Sequence, residues 1–138
     1  MSSAQKRTAS KRLAIFDGAK HMTIDAPIPS YLNFNGQFKA DYRAAHAFLY
    51  AYKDNTATFN AYRREIERLL HWSWQIAEQS IFKLQRTEIE AYIKFCRNPR
   101  KSWIGSKKLA RFTSHDGKRV PNPAWRPFVI TSTRKEEI

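Results

Sequence analysis

The stretch Thr56–Pro99 reads TATFNAYRREIERLLHWSWQIAEQSIFKLQRTEIEAYIKFCRNP. Phe59, Tyr62, Ile66, Leu69 and Leu70 recur every three or four residues, which predicts one apolar side of a helix. Asn60, Arg64, Arg68 and His71 fall on the opposite, polar side. The spacing carries this helix to about Gln75, with Trp72 and Trp74 flanking its stripe. Thr56 and Thr58 both offer the side-chain oxygen that an N-cap needs. Further on, Thr87 with Glu90 three residues later reads as a capping box opening a second helix. Its stripe is Ile89, Tyr92, Ile93 and Cys96, and Asn98-Pro99 stops it. Upstream, Phe38, Tyr42, Ala45, Phe48, Leu49 and Tyr52 keep the same spacing and predict a helix over 37–53. Three such stripes and only 4 glycines predict an all-α fold, a small helical bundle followed by a basic irregular segment.

The flanks read differently. Residues 1–35 are expected to be a flexible basic arm and a linker, because 1–12 are small and polar and Pro27 and Pro29 break any helix after them. Tyr31, Leu32 and Phe34 are expected to pack on the edge of the folded part, which spans 36–129. Residues 80–84 are read as the link between the two central helices. Beyond Pro99, residues 107–112 suit one or two helical turns, Asp116-Gly117 marks a turn of a small hairpin or loop, and three prolines keep the remainder extended. Residues 130–138 are read as a tail.

Charge is the strongest functional clue. The 138 residues carry 25 Lys and Arg against 12 Asp and Glu, for a net charge of +13. Residues 31–96 are nearly neutral, whereas 97–135 hold eleven basic residues and one acid. A merely solvated surface mixes its signs; a one-sided excess points to a polyanion. The single cysteine, Cys96, lies on an apolar stripe and leaves no internal disulfide. The four histidines share no metal-type spacing, so neither a metal nor another cofactor is expected. No apolar run approaches the ~18 residues of a membrane span, and no secretory signal is visible. The expected location is therefore cytoplasmic, with the bacterial nucleoid.

Certain residues carry a family likeness. Thr58-Phe59, Tyr62 to Glu65, Arg68, Leu70 and Trp72 make one part of it. Leu84, Arg86, Glu88, Tyr92 and Phe95 make the second, and Trp125-Arg126-Pro127-Phe128 the third. Together they resemble the N-terminal core-binding domain of tyrosine recombinases, the phage-type integrases. The resemblance implies a SAM-like helical bundle that clamps duplex DNA, with Ile81, Phe82 and Leu84 buried. It also implies other partners: a catalytic domain, or further integrase protomers. Strand cleavage in that family belongs to the separate catalytic domain. The six tyrosines here lie in no arginine–histidine constellation, so no catalytic residue is assigned to this chain. The family domain has a further helix after the Trp-Arg-Pro-Phe region. This sequence is expected to lack that helix, so either the Trp103–Phe112 and Trp125–Phe128 segments fold back as a lid, or part of the apolar surface stays open and favours modest stability or self-association.

The candidate DNA-binding residues are Arg63, Arg64 and Arg68 on the helix opened near Thr56, with Thr58 and Asn60 for short contacts. Lys101, Lys107, Lys108, Arg111 and Arg119 follow in the basic segment. A different reading of the same charge is a free-standing basic helical protein that binds RNA or ribonucleoprotein.

Overall fold

A computed structural model describes residues 12–29, Leu32 and 36–129. Tyr31 and Phe34 and most of the expected arm and tail lie outside the described residues. The described part contains three α-helices: α1 (Lys39–Tyr50), α2 (Thr56–Trp72) and α3 (Arg86–Arg97). It also contains four short strands: β1 (Ile104–Gly105), β2 (Phe112–His115), β3 (Lys118–Pro121) and β4 (Phe128–Val129). The all-α expectation is therefore corrected to a mixed α/β fold, and the SAM-like bundle falls with it. The strands sit where the sequence shows no helical period, and turn residues rather than apolar alternation define them.

The chain divides into two compact units, one formed by Ile15–Ile89 and one by Met1–Ala14 with Glu90–Ile138. In the first, here the helical unit, the core is Ile15, Phe16, Tyr42, Ala45, Leu49, Phe59 and Leu70. Ile15 and Phe16, read in sequence as part of a linker, are 1% and 2% exposed. Two neighbouring apolar residues cannot announce a period, yet they fill the space between the helices. Leu32 packs against the same core.

Two buried carboxylates organise this unit. Glu67 of α2 accepts hydrogen bonds from the backbone N–H of Ile15 (2.8 Å) and Phe16 (2.7 Å) through one oxygen, Oε2. Asp41 of α1 accepts from the Trp74 indole (2.9 Å), the Ser80 hydroxyl (2.6 Å) and the Ile81 N–H (2.8 Å). Both are essentially inaccessible to solvent. Acceptor-only side chains suit such positions, because each satisfies backbone donors that irregular segments leave unpaired. Between these anchors, Ser73–Ala77 widens to a π-helical turn and ends at Glu78 in the left-handed region, φ 57°. The Ser73 hydroxyl donates to the Gln79 carbonyl (2.6 Å) and the Gln79 N–H returns a bond to the Ser73 carbonyl (3.0 Å).

The helix ends differ from the sequence reading. Asn55, not Thr56 or Thr58, caps α2: its side chain accepts from the Thr58 N–H at 3.1 Å. Asn55→Ala is expected to cost about 1 kcal/mol, and Thr56→Ala or Thr58→Ala much less. Urea unfolding of the three variants checks the assignment; a Thr58→Ala cost equal to that of Asn55→Ala refutes it. At α3 the reciprocal bond is Gln85 N–H to the Glu88 carboxylate (2.8 Å), so the helix opens one residue before Thr87 and does not use a Thr87–Glu90 box.

The stripes also shift. On α2, His71, read as polar-side, is buried and its ring nitrogen Nδ1 lies 2.8 Å from the Gln75 amide, whereas Tyr62 is 39% exposed. On α3, Ile89 and Ile93 are exposed, while Phe95 meets Trp103 edge-on at 4.9 Å and Phe128 at 6.1 Å. Phe82 is exposed rather than buried.

The second unit, here the basic unit, has Trp103, Phe112, Trp125 and Phe128 as its buried aromatics. β1 pairs with β4 in parallel, Ile104 opposite Phe128. β2 and β3 form an antiparallel hairpin, from Phe112 opposite Pro121 to His115 opposite Lys118. Its turn is Asp116-Gly117, both at positive φ (54° and 76°), the two-residue geometry that matches strand twist. Residues 107–112 are thus not helical; they lead into the hairpin. Pro121 offers no N–H, and Asn122 extends the pairing by donating its N–H to Arg111 (2.8 Å) and its side-chain amide to Ala110 (2.9 Å).

Candidate nucleic-acid interface

The two units divide the charge unequally. The described part of the basic unit holds eleven Lys and Arg against Glu90 and Asp116 alone. The described part of the helical unit holds nine against eight. A phosphate backbone is therefore attracted far more strongly to the basic unit.

The candidates on α2 are bound up with their own neighbours. The Arg64 Nε lies 3.0 Å and the Arg68 Nη1 3.4 Å from the same Glu65 oxygen. Arg63 donates to the Asn60 side chain (3.2 Å) and the Phe16 carbonyl (3.5 Å), with its guanidinium 5.4 Å from the Phe59 ring centre. Asn60 thus spends its oxygen on Arg63, and Thr58 is half-buried at the cap. Such pairs are individually weak, yet Glu65 offsets one of the three positive charges that Arg63, Arg64 and Arg68 bring to this face.

The candidates of the basic unit stand in a different setting. Lys101, Lys107 and Lys108 are exposed. Arg111 lies over the Trp125 ring at 4.8 Å and Arg119 over the Phe112 ring at 5.9 Å. Such contacts hold a guanidinium in place without cancelling its charge. The hairpin from Thr113 to Arg119 is exposed along its whole length and presents His115, Lys118 and Arg119. A two-stranded ribbon of this kind fits the width of a DNA major groove. The structure does not bring the α2 candidates and the basic-unit candidates into one unit.

Arg12, Arg100 and Arg126 escaped the sequence reading. Burial lowers the Arg12 pKa, and the positive charges of Arg126 and Arg100 lower it further. The Arg12 Nε is buried with no hydrogen-bond partner among the described residues. The Arg126 Nη1 is fixed by the carbonyls of Pro123 and Trp125, both at 2.8 Å. Like charges gathered in this way, with a buried donor left over, are relieved by an anion. The signal in sequence was slight: Arg126 sits inside the family motif and Arg100 inside a basic run, where one arginine looks like another.

Among the described residues no group of three or more His, Cys, Asp and Glu side chains is arranged to hold a metal ion, and no helix is long and apolar enough to cross a membrane. Comparison with family models, with curated proteins and with solved structures found no match to this chain.

Proposed function

We propose that this chain is a duplex-DNA-binding module that grips phosphates through its basic unit, and that it serves a tyrosine recombinase whose strand-cleaving chemistry lies in a separate domain. The observation that carries the binding reading is the division of charge, eleven cations against two acids in one unit. The cation–π contacts of Arg111 and Arg119, the exposed hairpin and the Arg12–Arg100–Arg126 group support it. The recombinase reading rests on the sequence resemblance alone. An in-frame continuation downstream of Ile138 with an arginine–histidine–tyrosine set is what that reading requires.

The test is a salt titration of binding to duplex DNA. Neutralising four to six phosphates gives a log–log slope of about −4 to −5. Replacing Lys101, Lys107 and Lys108 together with Ala is expected to weaken binding to unrelated duplexes about equally and to flatten the slope by roughly two to three. Replacing Arg64 and Arg68, both held by Glu65, is expected to change binding little. A flat titration, or an isotherm indifferent to the lysine triple, removes the reading. Preferential competition by structured RNA over duplex DNA replaces it with the RNA-binding one.

A further inference from the structure

The helical unit holds a groove that the DNA reading does not use. Tyr42, His46 and Tyr50 lie on successive turns of α1 and so share one face. The three rings form a row along the helix, Tyr42 to His46 at 6.1 Å and His46 to Tyr50 at 6.5 Å, and Phe16 packs against its first two members, 5.2 Å from Tyr42 and 6.4 Å from His46. Neighbouring planes in the row differ by 28° and 14°, while Phe16 is inclined 24° to Tyr42 and 49° to His46. Phe16 and Tyr42 are buried and anchor the row, while His46 and Tyr50 are only half-buried. Burial raises the Tyr42 phenol to about 12, against the opposing effect of Arg43, so it stays neutral. Burial, helped by Arg43, lowers the His46 pKa, which keeps this ring neutral near pH 7.

Ile24, Asp25 and Ala26 share with this face of α1 the lining of an open groove of about 330 Å3. That volume falls at the lower end of small-ligand sites. Asp25 and Arg43 are among its lining residues, the first able to accept and the second to donate hydrogen bonds. Ile24 and Tyr50 also line a wider opening of about 680 Å3, whose lining includes Lys20, Lys53 and Asp54. The Lys53 ammonium lies 5.4 Å from the Tyr50 ring centre and 3.3 Å from Asp54. The groove thus passes from an aromatic wall with a polar edge to a pair of ammonium groups.

We propose that this groove binds a nucleobase together with its 5′-phosphate: the base stacks on His46 and Tyr50, its edge meets Asp25 and Arg43, and the phosphate lies toward Lys53 and Lys20. Stacking on a neutral ring tolerates any base, because each has a π face. Three cations against two carboxylates along the groove suit one phosphate rather than a long backbone. The inference does not rest on the DNA reading, since every residue in it belongs to the helical unit. Two sources share this chemistry, a free mononucleotide and a nucleotide of a single strand.

The experiment titrates the full chain with AMP, with a short single-stranded oligo(dA) and with pyrophosphate, followed by the NMR resonances of the His46 ring. Saturation by AMP identifies a free nucleotide; saturation only by oligo(dA) identifies a single strand; either supports the proposal. Tyr50→Ala and His46→Ala are each expected to weaken binding at least about fivefold, whereas Tyr50→Phe keeps the ring and retains affinity. Urea midpoints confirm that the variants are folded. The Lys101, Lys107 and Lys108 triple is expected to leave AMP affinity unchanged, which separates this groove from the basic unit. Pyrophosphate shifting the same resonances as tightly as AMP, or an affinity unmoved by Tyr50→Ala, overturns the proposal, as does the absence of binding by both nucleotide probes.

Discussion

Glu67→Ala is expected to lower the unfolding free energy of the helical unit by about 2–5 kcal/mol, because it strands two buried backbone donors at about 1–3 kcal/mol each. Those donors are the amides of Ile15 and Phe16, whose side chains sit in the core. Losing the carboxylate therefore loosens two core residues as well as two hydrogen bonds. Against a total stability of roughly 5–15 kcal/mol for a domain, the loss is severe. Glu67→Gln is expected to cost less than Ala, since both amides use the same oxygen and a carbonyl can replace it. The control lies two residues away. Glu65 is 55% exposed and, among the described residues, pairs with Arg64 and Arg68 on its own helix, so Glu65→Ala is expected to cost under about 1 kcal/mol. Urea unfolding followed by far-UV circular dichroism measures all three. Amide exchange at Ile15 and Phe16 reports the local release. Equal costs for Glu65→Ala and Glu67→Ala refute the anchoring role.

Asp41→Ala is expected to be at least as damaging, at about 3–5 kcal/mol, because it leaves an indole N–H, a hydroxyl and a backbone N–H without their acceptor. Asp41→Leu, which restores apolar volume and no acceptor, is expected to rescue nothing. Asp41→Asn is expected to cost only about 1 kcal/mol. Trp74 and Ile81 share the Oδ2 position, which an amide oxygen can occupy, and the Ser80 hydroxyl can rotate to accept from the new NH2. The ranking Ala and Leu well below Asn identifies hydrogen bonding rather than packing as the cause. Tryptophan fluorescence adds a local reading, since Trp74 also stacks on Phe38 at 5.4 Å. A Leu variant as stable as the parent sinks the argument.

The exposed residues of α3 define the opposite extreme. Ile89 and Ile93 are 38% and 46% exposed, so each contributes less to burial than its place in the stripe implied. Phe95 contributes more, because it faces Trp103 and Phe128. Sequence spacing gives the period of a helix but only approximately the centre of its buried face. That centre depends on which segment packs there.

Sequence alone determined the three helices to within a few residues, because their apolar periods are long enough to exclude strands. It also determined the Asp116-Gly117 turn, whose residue types suit positive φ. It determined the excess of cations after Pro99, which needs only counting. Only the tertiary structure decided the fold class, since β1 and β4 are two residues each and pair over a separation no local pattern encodes. Only it decided that Glu67 is buried while Glu65 is not. The two carboxylates are alike in type and two positions apart, and the difference lies in whether unpaired amides from Ile15 and Phe16 arrive beside one of them. The same holds for the candidate sites. The stripe read from sequence took in Tyr42 but neither His46 nor Tyr50, and a groove exists beside these rings because Ile24, Asp25 and Ala26 complete its lining. Arginine counts are visible in a chain of letters. Whether a guanidinium meets a carboxylate, an aromatic ring or another guanidinium is set by distance in space, and that follows from packing.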